Sequence, residues 1–354
     1  MVRKKAARAP GREVRTTGRG FGRPWLATLA ALSGFGAAMG LQATTVQGTA
    51  ESAAGNWPAR PIRVLLPNSP GSATDILGRI AFQRMADVLG QPLLVDNRPG
   101  AGGTTGVEIG MRAQPDGYTI TTVTLAVLAV APHTFKSVGY DVFRDIQPVS
   151  VFAIAQTGVC VNAQLPVQSL RDLVELARAR QGRLLMASAG IGSTSHMGGL
   201  LFTSLAKIGA THVPYKGGGP SMAAVAQGEA DFTVGPIVAA MMHVKAGRTR
   251  CLATGGERRS ALYPDLPTLA EAGVPGYRYS GWNGIVLPAR TPRAVVDRLH
   301  GALVAVLKRD DVRQLYAAQG EEPAWNAPEA FARLIREDFD AMGKLVKAAG
   351  VRAE

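Results

Sequence analysis

From Trp57 onward the chain alternates short apolar runs with stretches whose apolar residues recur every three or four positions, and few folds accept that order. Ile62-Arg63-Val64-Leu65-Leu66 reads as a buried strand, and a loop runs from Pro67 to Thr74. Over Asp75 to Leu89, Leu77, Ile80, Met85 and Leu89 line one helical face, and Leu93-Leu94-Val95 is the next strand. This is one βαβ unit, and such units build parallel sheets. A Gly-rich stretch, Pro99-Gly100-Ala101-Gly102-Gly103, opens a short helix near 104–112. The pattern then predicts strands at 118–124, 184–187, 211–215, 231–234 and 250–254. Helices are expected at 196–208, 221–227 and 328–347. Ser169-Leu170-Arg171-Asp172 resembles a capping box and starts a helix to about 180. Thr291-Pro292 reads as an N-cap with Pro at the first helical position, opening a helix to about 308. The fold class is therefore α/β, and 354 residues suit about two domains.

The net charge of +13 raises the question of nucleic acid. Residues 1–56 hold eight basic and two acidic residues, so +6 sits there; the other 31 basic and 24 acidic residues are spread singly, without a basic stripe. Nucleic acid is not an expected partner. The basic segment precedes an apolar run, Leu26 to Leu41, broken by Gly34, Gly36 and Gly40, and small residues then gather at Gly48-Thr49-Ala50 and Ser52-Ala53-Ala54. That order matches a secretory signal. The run is short for a membrane span, which takes about 20 residues. We expect residues 1–56 to be a signal peptide with a disordered N-terminal segment, and the rest to be exported to the periplasm. Cys160 and Cys251 would then meet oxidising conditions, and two readings stand: a disulfide or two buried thiols. Cys and His spacing predicts no metal site.

Three strand–loop–helix junctions carry small residues: Pro70-Gly71-Ser72-Ala73-Thr74-Asp75, Gly190-Ile191-Gly192-Ser193-Thr194-Ser195-His196, and Tyr215-Lys216-Gly217-Gly218-Gly219-Pro220-Ser221. Glycine lets the backbone turn and a ligand approach the main chain. Free N–H groups in a first helical turn, with the helix dipole, favour an anion. Ligands of such sheets sit beyond the carboxyl ends of the strands. Against a binding site stands the plain reading that Gly-rich βα turns are good turns. No P-loop, G-x-G-x-x-G or G-x-S-x-G signature occurs, and no cofactor is expected. His196 reads as a base for Ser193 or Ser195, or as a structural hydrogen-bonder. Asp75 reads as a ligand contact, or as an acid answering the helix dipole. Lys216 pairs with an anion or lies in solvent, and Tyr215 is pocket wall or core.

Several runs together are more specific: Trp57-Pro58-Ala59-Arg60-Pro61-Ile62-Arg63, Asp96-Asn97-Arg98-Pro99-Gly100-Ala101-Gly102-Gly103, Asp116-Gly117-Tyr118-Thr119, the Gly190–His196 loop, His212-Val213-Pro214-Tyr215-Lys216-Gly217, Leu266-Pro267-Thr268-Leu269-Ala270-Glu271-Ala272-Gly273 and Leu287-Pro288-Ala289. In this order they resemble the substrate-binding proteins of tripartite tricarboxylate transporters, also called the Bordetella uptake gene family, from Trp57 to near the C-terminus. The resemblance implies a type II periplasmic-binding-protein fold: two α/β lobes with a hinge and a ligand cleft, lobe 1 being 57–157 plus 281–354 and lobe 2 being 158–280. It implies a non-enzymatic monomer that binds a small carboxylate and serves membrane permease subunits. The ligand would meet Asn68, Gly71, Ser72, Ala73 and Asp75 from the first loop. From the others it would meet Gly190, Gly192, Ser193, Thr194, Ser195, His196, Tyr215, Lys216 and Gly217. The first loop departs from the family's P-F-x-P-G-G-x-x-D: Asn68 replaces an aromatic and Ser72 replaces the second Gly. Two other functions compete, a ligand-responsive sensor acting on a receptor kinase and an exported α/β hydrolase; the hydrolase needs a nucleophile–base pair that the motifs do not supply.

Overall fold

The computed structural model describes residues 56–352. The expected signal peptide lies outside the described residues. In chain order the elements are β1 (Ile62–Leu66), α1 (Ala73–Leu89), β2 (Leu93–Asn97), α2 (Thr104–Met111), β3 (Thr119–Thr124), a π-helical turn (Ala126–Val130), α3 (Ala131–Thr134), β4 (Ile146–Ala155) and β5 (Thr157–Asn162). There follow α4 (Leu170–Ala179), β6 (Leu185–Ser188), α5 (Thr194–Ala206), β7 (Thr211–Pro214), α6 (Gly218–Gln227), β8 (Phe232–Pro236), α7 (Val238–Lys245) and β9 (Thr249–Thr254). The chain ends with β10 (Gly281–Pro288), α8 (Arg293–Leu307), α9 (Asp310–Ala318), β11 (Glu321–Pro323) and α10 (Pro328–Ala349).

These strands form two sheets, one ordered β11-β4-β10-β3-β1-β2 and the other β7-β6-β8-β5-β9. The βαβ units do pair in parallel: β1 with β2 and β3, and β6 with β7 and β8. The sheets are mixed, because the pairings of β4, β5, β9, β10 and β11 that lie outside those units run antiparallel. The reason is connectivity. The chain leaves the six-stranded sheet between β4 and β5, builds the five-stranded sheet, and returns at β10, which inserts between β3 and β4.

Each sheet has helices on its faces because its strands are apolar on both sides. Ile62, Val64 and Leu66 pack with Leu77, Phe82 and Met85 of α1 and with Val295, Leu299 and Leu303 of α8. On the other face Phe331 and Ile335 of α10 pack with Val151, Val286 and Trp282. In the second sheet, Phe202 of α5 meets Phe232 of β8 edge-on, centroids 6.1 Å apart. Burying each such side chain fully stabilises the fold by about 1.5–3 kcal/mol.

Local signals resolve in detail. Ser169 and Asp172 form both halves of the capping box that opens α4. Cys160 and Cys251 are cross-strand partners on β5 and β9 and form a disulfide. The expected cap at Thr291 is corrected: its hydroxyl donates to the Pro288 carbonyl at 2.7 Å, and Pro292, with extended ψ, precedes a helix that starts at Arg293.

Candidate functional site

The first loop leaves the carboxyl end of β1. Gly71 takes φ +78°, where a side chain would strain the backbone. Ser72 is extended and caps α1, its Oγ accepting the Asp75 amide at 3.3 Å. The Ser72 amide donates to the Ser69 carbonyl at 3.2 Å, and the Gly71 amide donates to Asp75 Oδ2 at 2.9 Å. The next two amides, of Ala73 and Thr74, have no protein acceptor among the described residues. The helix therefore begins two residues before the predicted Asp75, because Ser72 supplies the cap. A serine suits the position that the family pattern gives to glycine: Ser72 φ is −69°, so its Cβ costs nothing.

The Asp75 carboxylate turns into the loop and is 3% exposed. It also accepts from Arg79 Nε at 3.0 Å and Asn97 Nδ2 at 2.9 Å. Burial pushes this carboxyl up, but hydrogen bonds from Arg79, Asn97 and Gly71, with the Arg79 charge, outweigh it and hold the group below its ordinary 3.8. Asn97 Nδ2 further fixes the loop by donating to the Asn68 carbonyl at 3.0 Å, while Asn68 Oδ1 is buried without a partner.

The second loop repeats the turn at the end of β6. Gly192 takes φ +74°, and Ser193 is extended and caps α5 by accepting the His196 amide at 3.2 Å. The Ser193 amide donates to the Gly190 carbonyl at 3.2 Å, and the Gly192 amide donates to His196 Nδ1 at 3.1 Å. Again the next two amides, of Thr194 and Ser195, lack a protein acceptor among the described residues. Ser195 Oγ accepts the Ala189 amide at 2.8 Å. The His196 ring stacks on His212, centroids 3.9 Å apart. Burial, and then the His212 charge, lower the His196 pKa from 6.5 to about 4. The ring is thus neutral near pH 7, as a ring nitrogen that accepts a hydrogen bond requires.

These two first turns meet along β10. Thr74 Oγ1 donates to Asn283 Oδ1 at 2.7 Å. Two residues earlier, a Cβ on Gly281 would lie 3.5 Å from Thr194 Cγ2. The third loop buttresses the second: the Tyr215 amide donates to the Ser188 carbonyl at 2.8 Å, and a Cβ on Gly190 would lie 3.4 Å from the Tyr215 carbonyl oxygen. Tyr215 is half-buried beside the small cluster around Met222. Lys216 is exposed, and Gly217, at φ +119°, precedes α6. No backbone hydrogen bond joins this loop to the first among the described residues.

Asn97 and Asn283 hold the first loop and its helix in place, and the sequence reading did not single them out for that role. An amide side chain within the otherwise apolar Trp282–Pro288 strand was the available signal for Asn283. Among the described residues the serine hydroxyl hydrogen-bonded to a histidine ring is Ser188, whose Oγ lies 2.6 Å from His212 Nε2. Ser188 is fully buried, and its hydroxyl is also bonded to Gly190. Among the described residues no group of His, Cys, Asp and Glu is arranged to hold a metal ion, and no helix is long and apolar enough to cross a membrane.

The profile of the tripartite tricarboxylate transporter family receptor matches residues 77–351. BugT of Bordetella pertussis is 30% identical over 317 residues, covering 89% of this chain and 97% of that protein. Among solved structures, R. palustris Rpa4515 with adipate is 32% identical with a TM-score of 0.72, covering 84% of this chain and 99% of that one. MatC (Rpa3494) from Rhodopseudomonas palustris with bound malate is 30% identical with a TM-score of 0.68, covering 82% and 100%.

Proposed function

The chain belongs to the tripartite tricarboxylate transporter receptor family, and from that premise we propose that it is a periplasmic protein that holds a small carboxylate between its lobes and presents it to membrane permease subunits. One observation carries the proposal: two helix N-termini of identical design, each with two unfilled amides, flank the same strand. Ala73 and Thr74 face the ligand from one side, and Thr194 and Ser195 from the other. A helix N-terminus favours an anion, and each charge-assisted hydrogen bond contributes about 1.5–3 kcal/mol. Gly71, Ser72, Gly190, Gly192 and Ser193 give the turns their shape, while Asp75 and His196 hold them from behind. Asn68, Tyr215, Lys216 and Gly217 complete the surround.

The lobes divide in this reading as 57–157 with 281–354, and 158–280. Closure follows from tighter binding to the closed state. Binding rather than catalysis is favoured because the one serine paired with histidine in this region has its hydroxyl buried and committed to a turn. The adipate and malate in the two Rhodopseudomonas structures support a carboxylate. Calorimetric titration with a panel of mono-, di- and tricarboxylates, beside neutral sugars, tests the proposal. At least one carboxylate binds and raises the melting temperature, as selective binding to the folded state requires. Binding of a sugar with no response to any carboxylate would refute it.

A further inference from the structure

A cavity of about 220 Å³ lies beside one of the two connections between the sheets, and none of the three loops lines it. One connection is Gln156, between β4 and β5; the other is Tyr279-Ser280, which leads into β10. They are tied by Thr157 Oγ1, which donates to the Tyr279 carbonyl at 2.7 Å. Ile154, Trp282, Trp325 and Leu334 make the walls apolar and aromatic.

The polar groups of the cavity are unequal. Asp338 Oδ2 accepts from the Trp282 indole Nε1 at 2.7 Å, while its other oxygen makes no hydrogen bond among the described residues. Tyr279 is 3% exposed, and its hydroxyl, near Thr194 and the Asp338 carboxylate, makes no full hydrogen bond. Arg278 at the rim is answered twice, by Glu337 at 3.4 Å and Glu257 at 3.7 Å. Among the described residues Asp338 is therefore the cavity's acidic group with no ion pair within 4.0 Å, the Arg278 charge acting on it only from further off. Burial pushes its carboxyl up, although the Trp282 hydrogen bond and the Arg278 charge act against that. A carboxylate oxygen free of hydrogen bonds among the described residues, in a cavity walled by Trp282 and Trp325, suits an organic cation, through a charged hydrogen bond and apolar contact with the indoles. An anionic guest would meet Asp338 and Glu257 with like charge.

We propose that this cavity binds a small organic ammonium carried on a compact apolar body, its nitrogen on Asp338 and its body against Trp282 and Trp325. The assignment does not rest on the carboxylate reading of the loops.

The test titrates 2-phenylethylammonium into the ¹⁵N-labelled chain, with 3-phenylpropionate as an anionic control of similar body. The ammonium should shift the Trp282 and Trp325 indole N–H signals saturably, at least tenfold tighter than the control. Asp338→Asn, which keeps an acceptor for Trp282, should weaken binding at least tenfold, and Ala324→Phe, which fills the cavity, should abolish it. Should Asp338→Asn fail to fold, Ala324→Phe and the indole shifts decide. Absence of saturable binding, equal binding of the control, shifts that spare both indoles, or affinity unchanged in the folded variants would each overturn the proposal.

Discussion

The first and second loops are one turn built with two chemistries. In both, a glycine at φ near +75° donates its amide to the side chain four residues on, and the intervening serine caps the helix. In the first loop that acceptor is Asp75, a carboxylate held charged by Arg79 and Asn97. In the second it is His196, a neutral ring stacked on His212. Backbone shape is thus conserved within the molecule while the group enforcing it is not. The first helix end already has a fixed negative charge beside it. The second has none of its own, so in the proposed function its dipole would act on the carboxylate without competition.

The largest effect that separates the loops should come from Asp75→Ala. It strips an acceptor from Gly71, Arg79 and Asn97 at once, and we expect a stability loss of about 3 kcal/mol with weaker carboxylate binding. Asp75→Asn should recover part of it. Melting curves check this, and an unaffected Asp75→Ala chain would end the idea that this group enforces the turn.

Gly71→Val and Gly192→Val probe what the loops share. A β-branched residue at positive φ costs on the order of 1–3 kcal/mol, so both variants should lose stability and at least tenfold in affinity. Neither site is crowded: a Cβ at Gly71 meets nothing within 4 Å, and one at Gly192 comes no closer than 3.9 Å to Val130. The effect is thus conformational. Loss at one glycine alone would show that the turns are not equivalent.

Acid should divide the loops. The His196 pKa falls from 6.5 unfolded to about 4 folded, so the unfolded chain binds the extra proton first, and stability drops as pH falls from about 6.5 toward 4. Asp75, lowered below 3.8, keeps its contribution through that window and loses it only as pH falls further. Glu321, raised by burial from 4.5 to about 8, runs the other way: its contribution is complete below 4.5 and is lost as pH rises through 8. Urea unfolding across this range should therefore show a slope that His196→Gln flattens and Asp75→Asn does not.

The smallest change belongs to the caps. Ser72→Ala and Ser193→Ala should each lower stability by about 1 kcal/mol, read from denaturant midpoints. Unequal losses would measure how far Asp75 and His196 compensate for the missing hydroxyl.

Both turns were legible because their determinants are local: Gly, Ser and the residue four positions after the glycine lie within one turn of chain. The Ser169 capping box was legible for the same reason. β10 was not, because its partners β3 and β4 precede it by more than a hundred residues and nothing local encodes that register. The helix ends shifted by two residues at α1 and α5, since periodicity marks the apolar face but the cap sets the start. Thr291 misled because an N-cap residue type before proline says nothing of whether its hydroxyl is already engaged. Asn283 escaped notice because an apolar run draws attention to its apolar members, although the polar exception faces the site.

The central claim concerns four backbone amides. Titrating the ¹⁵N-labelled chain with adipate and with malate, and following the N–H signals of Ala73, Thr74, Thr194 and Ser195, addresses it directly. The account predicts that at least one of these acids moves all four downfield together, saturating at a single affinity. Binding that leaves these four signals in place while others shift would contradict it.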